Sequence, residues 1–185
     1  MIRYLSSVRC IFLLLFFCSF NAAAQTQLPV NDVGQVQYQE IVRLPDSKRP
    51  ARQSMEFARA WAEGFYKANL TTEQQYDQEH IILFIKSSYP INNQLVRYTL
   101  TIEPKFGRYR ATLTDLITES NGLNVPIQAS SPTVDDIRRA AADTLKNKTL
   151  IEETAQQQAD LYQQLDKLCR DTLVSLKEAM VSSKP

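Results

Sequence analysis

One histidine and four glycines in 185 residues limit the chemistry open to this chain. A metal centre draws on several His, Cys or carboxylate ligands at fixed spacing, and His80 has no such company. No Ser-His-Asp arrangement, nucleophile elbow or phosphate-binding loop is present, and four glycines leave little backbone that could cradle a phosphate. Lys and Arg total 21 against 20 Asp and Glu, a formal net charge of +1, so no overall basic excess drives binding to nucleic acid or an anionic membrane. The paired carboxylates Asp135-Asp136 sit where a helix start would place them, which accounts for them without catalysis.

A long apolar run is also missing. Residues 11–20 form the nearest approach, broken by Cys18 and Ser19, and a bilayer span needs about 20 apolar residues. With Arg3 and Arg9 before it and Ala22-Ala23-Ala24 after it, the run has the layout of a secretory signal peptide, residues 1–24, with no transmembrane segment after cleavage. Phe17 stands where a lipoprotein cysteine at 18 would need a small residue. Cleavage after Ala24 leaves 161 residues, 19 basic against 20 acidic, and Cys169 as the sole cysteine. An intramolecular disulfide is then impossible. Burial of Cys169 and an intermolecular bridge both stay open.

The patterning predicts an α+β domain over residues 25–131, followed by a helical segment over 132–185 that packs on the core or overhangs it. Residues 36–44 alternate as a strand, with Val36, Tyr38, Val42 and Leu44 on one face and Glu40 as the exception. Residues 50–69 change to helical spacing. Met55, Ala58, Trp61, Ala62 and Phe65 form one stripe, with Phe57 alongside and Trp61 as a core anchor. Residues 70–79 read as a polar connection.

A three-strand antiparallel meander then spans residues 80–118, joined by the turns PINN and PKFG. Pairing Glu103 with Arg108 puts Tyr98, Leu100, Ile102, Tyr109, Ala111 and Leu113 on one apolar face. Arg97, Thr99, Thr101, Arg110, Thr112 and Thr114 fall on the other. Pairing Tyr89 with Gln94 sets Ile82 and Phe84 on that polar face, as a corner either covered or open. Residues 125–128 are a marginal edge strand because of Pro126.

Ser131 is the expected cap of a helix reaching residue 146, with Pro132 in its first turn. A break follows at Asn147-Lys148. Thr149 and Glu152 have capping-box spacing for a last helix over 150–181. Its stripe runs through Leu161, Leu165, Leu168, Thr172 and Leu176, and its glutamine-rich stretch at 152–159 is expected to overhang.

Several segments, LPVNDVGQVQYQEIV at 28–42, FARAWAEGF at 57–65, Asp77, and VRYTLTIEPKFGRYRATLTDL at 96–116, resemble the secreted "domain of unknown function 4468" family. The strongest piece is the hairpin bearing Lys105, Gly107, Arg108, Tyr109 and Arg110. Where many members have an acidic residue before that glycine, this chain has Phe106. The resemblance implies a TBP-like antiparallel sheet in the order β-α-β-β-β-α, helices on one face and a long C-terminal helix. It also implies export by a Gram-negative bacterium, to the periplasm or beyond, and it brings no activity and no catalytic residue.

The functional expectation is a non-enzymatic binding or interaction module of the cell envelope. Its partner would be an envelope protein or a small ligand, not nucleic acid, met on the polar sheet face at Phe84, Arg97, Thr99, Arg110 and Thr112. No cofactor, metal or catalytic residue is expected. The alternatives are a structural accessory protein assembling through its last helix and, third, an enzyme with an unrecognised site.

Overall fold

The computed structural model describes residues 27–120, 122–142 and 148–182. The expected signal segment and most of the expected break near residue 147 lie outside the described residues. The elements are β1 (Tyr38–Arg43), α1 (Ala51–Phe65), β2 (Glu73–Asp77), β3 (Ile82–Ile91), β4 (Gln94–Lys105), β5 (Arg108–Ser120), β6 (Leu123–Pro126), α2 (Val134–Ala142) and α3 (Lys148–Ser182). The sheet is antiparallel in the order β1-β5-β4-β3-β2, and β6 pairs with β5 on the same edge as β1, further along it.

Alternation decides the faces. Tyr98, Leu100 and Ile102 of β4 and Tyr109, Ala111 and Leu113 of β5 are all buried, no more than 2% exposed. The register differs from the expected one. Lys105, not Glu103, pairs with Arg108, and Tyr89 pairs with Val96 rather than Gln94. Both slips are by two residues, so every side chain keeps its face. The cause is tighter turns. Gly107 (φ 66°) and Asn92 (φ 53°) supply left-handed backbone for the two-residue loops Phe106-Gly107 and Asn92-Asn93. Pro104 is thereby a buried strand residue and starts no turn.

One edge strand adds to the expected plan and another is displaced from its expected place. Residues 73–77 (EQQYD) carry no apolar alternation and read as connection, yet all five pair with Ile82–Lys86 of β3. β6 forms two residues earlier than expected and keeps Pro126 at the sheet edge, where a missing N–H is tolerated.

Helices α1 and α3 pack on the apolar face and on each other. Met55, Ala58, Trp61 and Ala62 of α1 are buried. Phe65 is not; it is 43% exposed and stacks on Trp61 at 4.9 Å, while Tyr66 fills the core instead. From α3, Leu161, Leu165, Cys169, Thr172, Leu173, Leu176 and Met180 are buried, whereas Leu168 is only partly so. Cys169 is inside the core, out of reach of a bridge to another chain, and burial pushes its thiol pKa up. Glu40, the odd residue on the inner face of β1, is answered by Lys177 of α3 at 2.7 Å.

The caps fall differently from the expectation. Thr133, not Ser131, caps α2 by exchanging hydrogen bonds with Asp136, and the Thr133 hydroxyl holds that carboxyl below its usual range. Ser131 instead accepts from the Gln128 N–H. Glu152 closes no box on Thr149; it pairs with Arg138 at 2.6 Å. Through that pair and the burial of Ala155, α2 packs along the end of α3 expected to stand free.

Candidate functional site: the open sheet face

With α1 and α3 on one side, the other side of the sheet presents its alternate residues to solvent. Phe84 of β3, Thr101 of β4 and Thr112 of β5 form a row across three strands. Thr99 and Thr114 form the next pair. Ile82 and Phe84, the corner expected to be covered or open, are half-buried. β2 closes the strand edge beside them through Asp77 and Gln75 and leaves their outward side bare.

Phe84, Thr99 and Thr112 therefore come together near the middle of this face. Arg97 and Arg110 do not join them. Arg110 lies opposite Glu103, six residues along β4 from Arg97, about 20 Å at ~3.3 Å per residue. Arg97 pairs with Glu119 at 2.5 Å, and Arg110 holds Glu103 through both carboxylate oxygens at 2.6 and 2.8 Å. Two guanidinium groups so far apart, each engaged by its own carboxylate, do not form one anion-holding pair.

Arg97 instead belongs to a groove that the sequence reading missed. Between Arg97 and Thr99 the β4–β5 register shifts, and Asp115 opposite takes φ 55°. A groove of about 570 Å³ lies between this bulge and the loop before β2. Its wall combines Lys86 and Arg97 with Glu73 and Asp115, the hydroxyls of Ser88 and Thr99, and the apolar Leu70 and Ile117. The loop wall is pinned: Asn69 Nδ2 donates to Ser87 Oγ at 3.0 Å and to the Ser88 carbonyl at 3.2 Å, and the Thr72 and Ser87 hydroxyls lie 2.7 Å apart. The sequence does carry a sign of the bulge, since the inward residues Leu113 and Leu116 are three apart where alternation requires two.

Beneath the groove, the Tyr98 hydroxyl donates to the Tyr66 hydroxyl at 3.0 Å, and Tyr89 stacks on Tyr98 at 4.3 Å and bonds Thr172 at 2.7 Å. Burial raises the pKa of all three phenols, so they stay neutral and act as fixed hydrogen-bonding groups. A second groove, about 560 Å³, runs beside Tyr38, Glu40 and Arg170. Asp166 there binds both the Tyr38 hydroxyl and Arg170.

His80 closes the β2–β3 turn on Asp77, with Nδ1 and Oδ2 2.8 Å apart. Its backbone N–H, and then its ring, hold the Asp77 carboxyl below the usual range. No group of three potential metal ligands occurs among the described residues. No helix among them is long and apolar enough to cross a membrane.

Two solved structures share this architecture. A DUF4468 family protein from Bacteroides ovatus superposes with a TM-score of 0.58 at 13% identity, covering 85% of this chain and 94% of that one. A TBP-like protein from Parabacteroides distasonis gives 0.51 at 12% identity, covering 80% and 96%. The chain has the DUF4468/TBP-like fold. No protein-family model and no curated protein matches its sequence. Likeness at this identity carries the fold and not a function.

Proposed function

We propose that this is an exported, non-enzymatic binding module of a Gram-negative cell envelope that takes its partner on the open sheet face, at the groove beside Arg97 and Thr99. The observation that carries the reading is the groove itself: a concave site framed by a strand bulge and a pinned loop, lined by two cations, two carboxylates, several hydroxyls and the apolar Leu70 and Ile117. Such a lining fits a short polar ligand with both donors and acceptors, such as a glycan fragment or peptide segment, better than a bare anion. Export rests on the signal layout of residues 1–24. In the alternative of assembly through α3, the apolar stripe would have to be free, whereas Leu161, Leu165, Leu176 and Met180 are committed to the domain's own core.

Thr99→Arg should fill the groove without touching the core. In a glycan and peptide screen read by NMR shifts, ligands of the wild-type chain should map to Thr99, Asp115 and Lys86 and should be lost in Thr99→Arg at unchanged Tm. Hits unaffected by that substitution would place the site elsewhere. Mass spectrometry of the exported protein should find Gln25 at its amino terminus.

A further inference from the structure

The near-zero net charge hides a local imbalance at the far end of the same sheet face. Arg108 lies directly between Arg43 of β1 and Lys105 of β4, and all three are exposed on the open side. Neighbouring strands are about 4.8 Å apart, so three cations stand within ~10 Å. Like charges directly opposite one another destabilise a sheet. None of the three pairs with a carboxylate among the described residues, although Arg97 and Arg110 on the same face each do.

Lys48 adds a fourth exposed cation from the neighbouring loop, which is fastened to the hairpin by hydrogen bonds from the Gly107 N–H to the Arg49 carbonyl and from the Leu44 N–H to the Gly107 carbonyl. That loop's carboxylate, Asp46, accepts the backbone N–H of Lys48. Large apolar side chains stand among these charges. Phe106, at the hairpin tip between Lys105 and Arg108, is 67% exposed, and Ile41, in the next row, is 61% exposed.

We infer that this hairpin end is a membrane-surface contact: Phe106 enters the boundary between headgroups and acyl chains of an anionic bilayer, and Arg43, Lys105, Arg108 and Lys48 meet its phosphates. An aromatic tip ringed by basic residues is complementary to such a surface on both counts, apolar area and charge. A free anion would call for a concave site with converging donors, and this end of the sheet lies in neither groove. Each cation near an anionic surface raises partitioning roughly fivefold, and the effect fades over a Debye length of about 8 Å at physiological salt. Lys105 lies eight residues along β4 from Arg97, about 26 Å at ~3.3 Å per residue. A tip-down molecule therefore holds its groove clear of the lipid, and the inference does not depend on what the groove binds.

The test uses the chain from Gln25 onward, which contains every described residue and lacks the apolar run that would itself partition into lipid. It is sedimented with vesicles of phosphatidylcholine alone and of equal parts phosphatidylcholine and phosphatidylglycerol. The expected result is binding to the anionic vesicles only, weakening as salt is raised. Phe106→Ser should reduce it several-fold. The triple variant Arg43→Gln, Lys105→Gln, Arg108→Gln should reduce it to the level seen with neutral vesicles, with a thermal midpoint no lower than wild type, because the like-charge row is relieved. Equal binding to both vesicle types, or undiminished binding by the triple variant, would overturn the inference. So would competition by inorganic phosphate or a single-stranded oligonucleotide combined with no effect of Phe106→Ser, since that pattern describes a soluble-anion site.

Discussion

The indole Nε1–H of Trp61 donates to Ser175 Oγ at 3.1 Å, a bond that ties α1 to α3 above the sheet. Both helices must sit on one face for these atoms to meet, so this pair fixes which side of the sheet is covered. Trp61→Ala should lower unfolding free energy by about 3–5 kcal/mol. Trp61→Phe, which keeps most of the packing and loses the hydrogen bond, should cost about 1–2 kcal/mol. Chemical denaturation checks both, and an unchanged midpoint for the alanine variant would remove Trp61 from the core.

Two glycines with positive φ predict different penalties. A Cβ on Gly107 (φ 66°) would lie 2.3 Å from the Ser47 carbonyl oxygen, while one on Gly122 (φ 78°) would meet nothing within 4 Å. Gly107→Ala should therefore cost upwards of ~2 kcal/mol, combining backbone strain with a clash against main chain. Gly122→Ala should show only the backbone cost of about 1–2 kcal/mol. Equal destabilisation of the two would mean that the hairpin tip is not seated on the loop carrying Ser47.

The buried phenols set the alkaline limit. Tyr66, Tyr89 and Tyr98 have pKa values raised chiefly by burial. A group raised in this way contributes stability that is intact below its unfolded value of about 10 and lost as pH climbs above it, because the unfolded chain ionises first. Tyrosinate absorbance from these residues should appear only together with loss of the folded circular-dichroism signal. A smooth titration at ordinary phenol pKa in the folded chain would show that the cluster is open to water.

The inner face of the sheet was legible because period-two alternation in β4 and β5 survives any even slip. The register was not. Pro104 reads as a turn residue, and only the short Phe106-Gly107 loop makes it a strand residue. That slip has consequences for function: in the expected register Arg108 would face Glu103, an ordinary ion pair, whereas the actual one sets it between Arg43 and Lys105. β2 was invisible because EQQYD presents no apolar face; it forms because β3 offers it a free edge. Of the candidate site residues, Phe84, Thr99 and Thr112 could be placed together by alternation alone. The groove could not, because it depends on a bulge whose sequence sign is one irregular spacing.

Cysteine accessibility tests the central claim, that one side of this sheet is core and the other a free surface. In the chain from Gln25 onward, Cys169 is the only native cysteine and is buried, so a Cys169→Ala background gives a silent starting point. Thr101→Cys, partly exposed on the open face, should react with a maleimide under native conditions without unfolding. Leu100→Cys, its immediate neighbour, should react only as fast as the protein unfolds. Comparable native rates at the two positions, or protection of Thr101→Cys with Leu100→Cys reactive, would contradict the account.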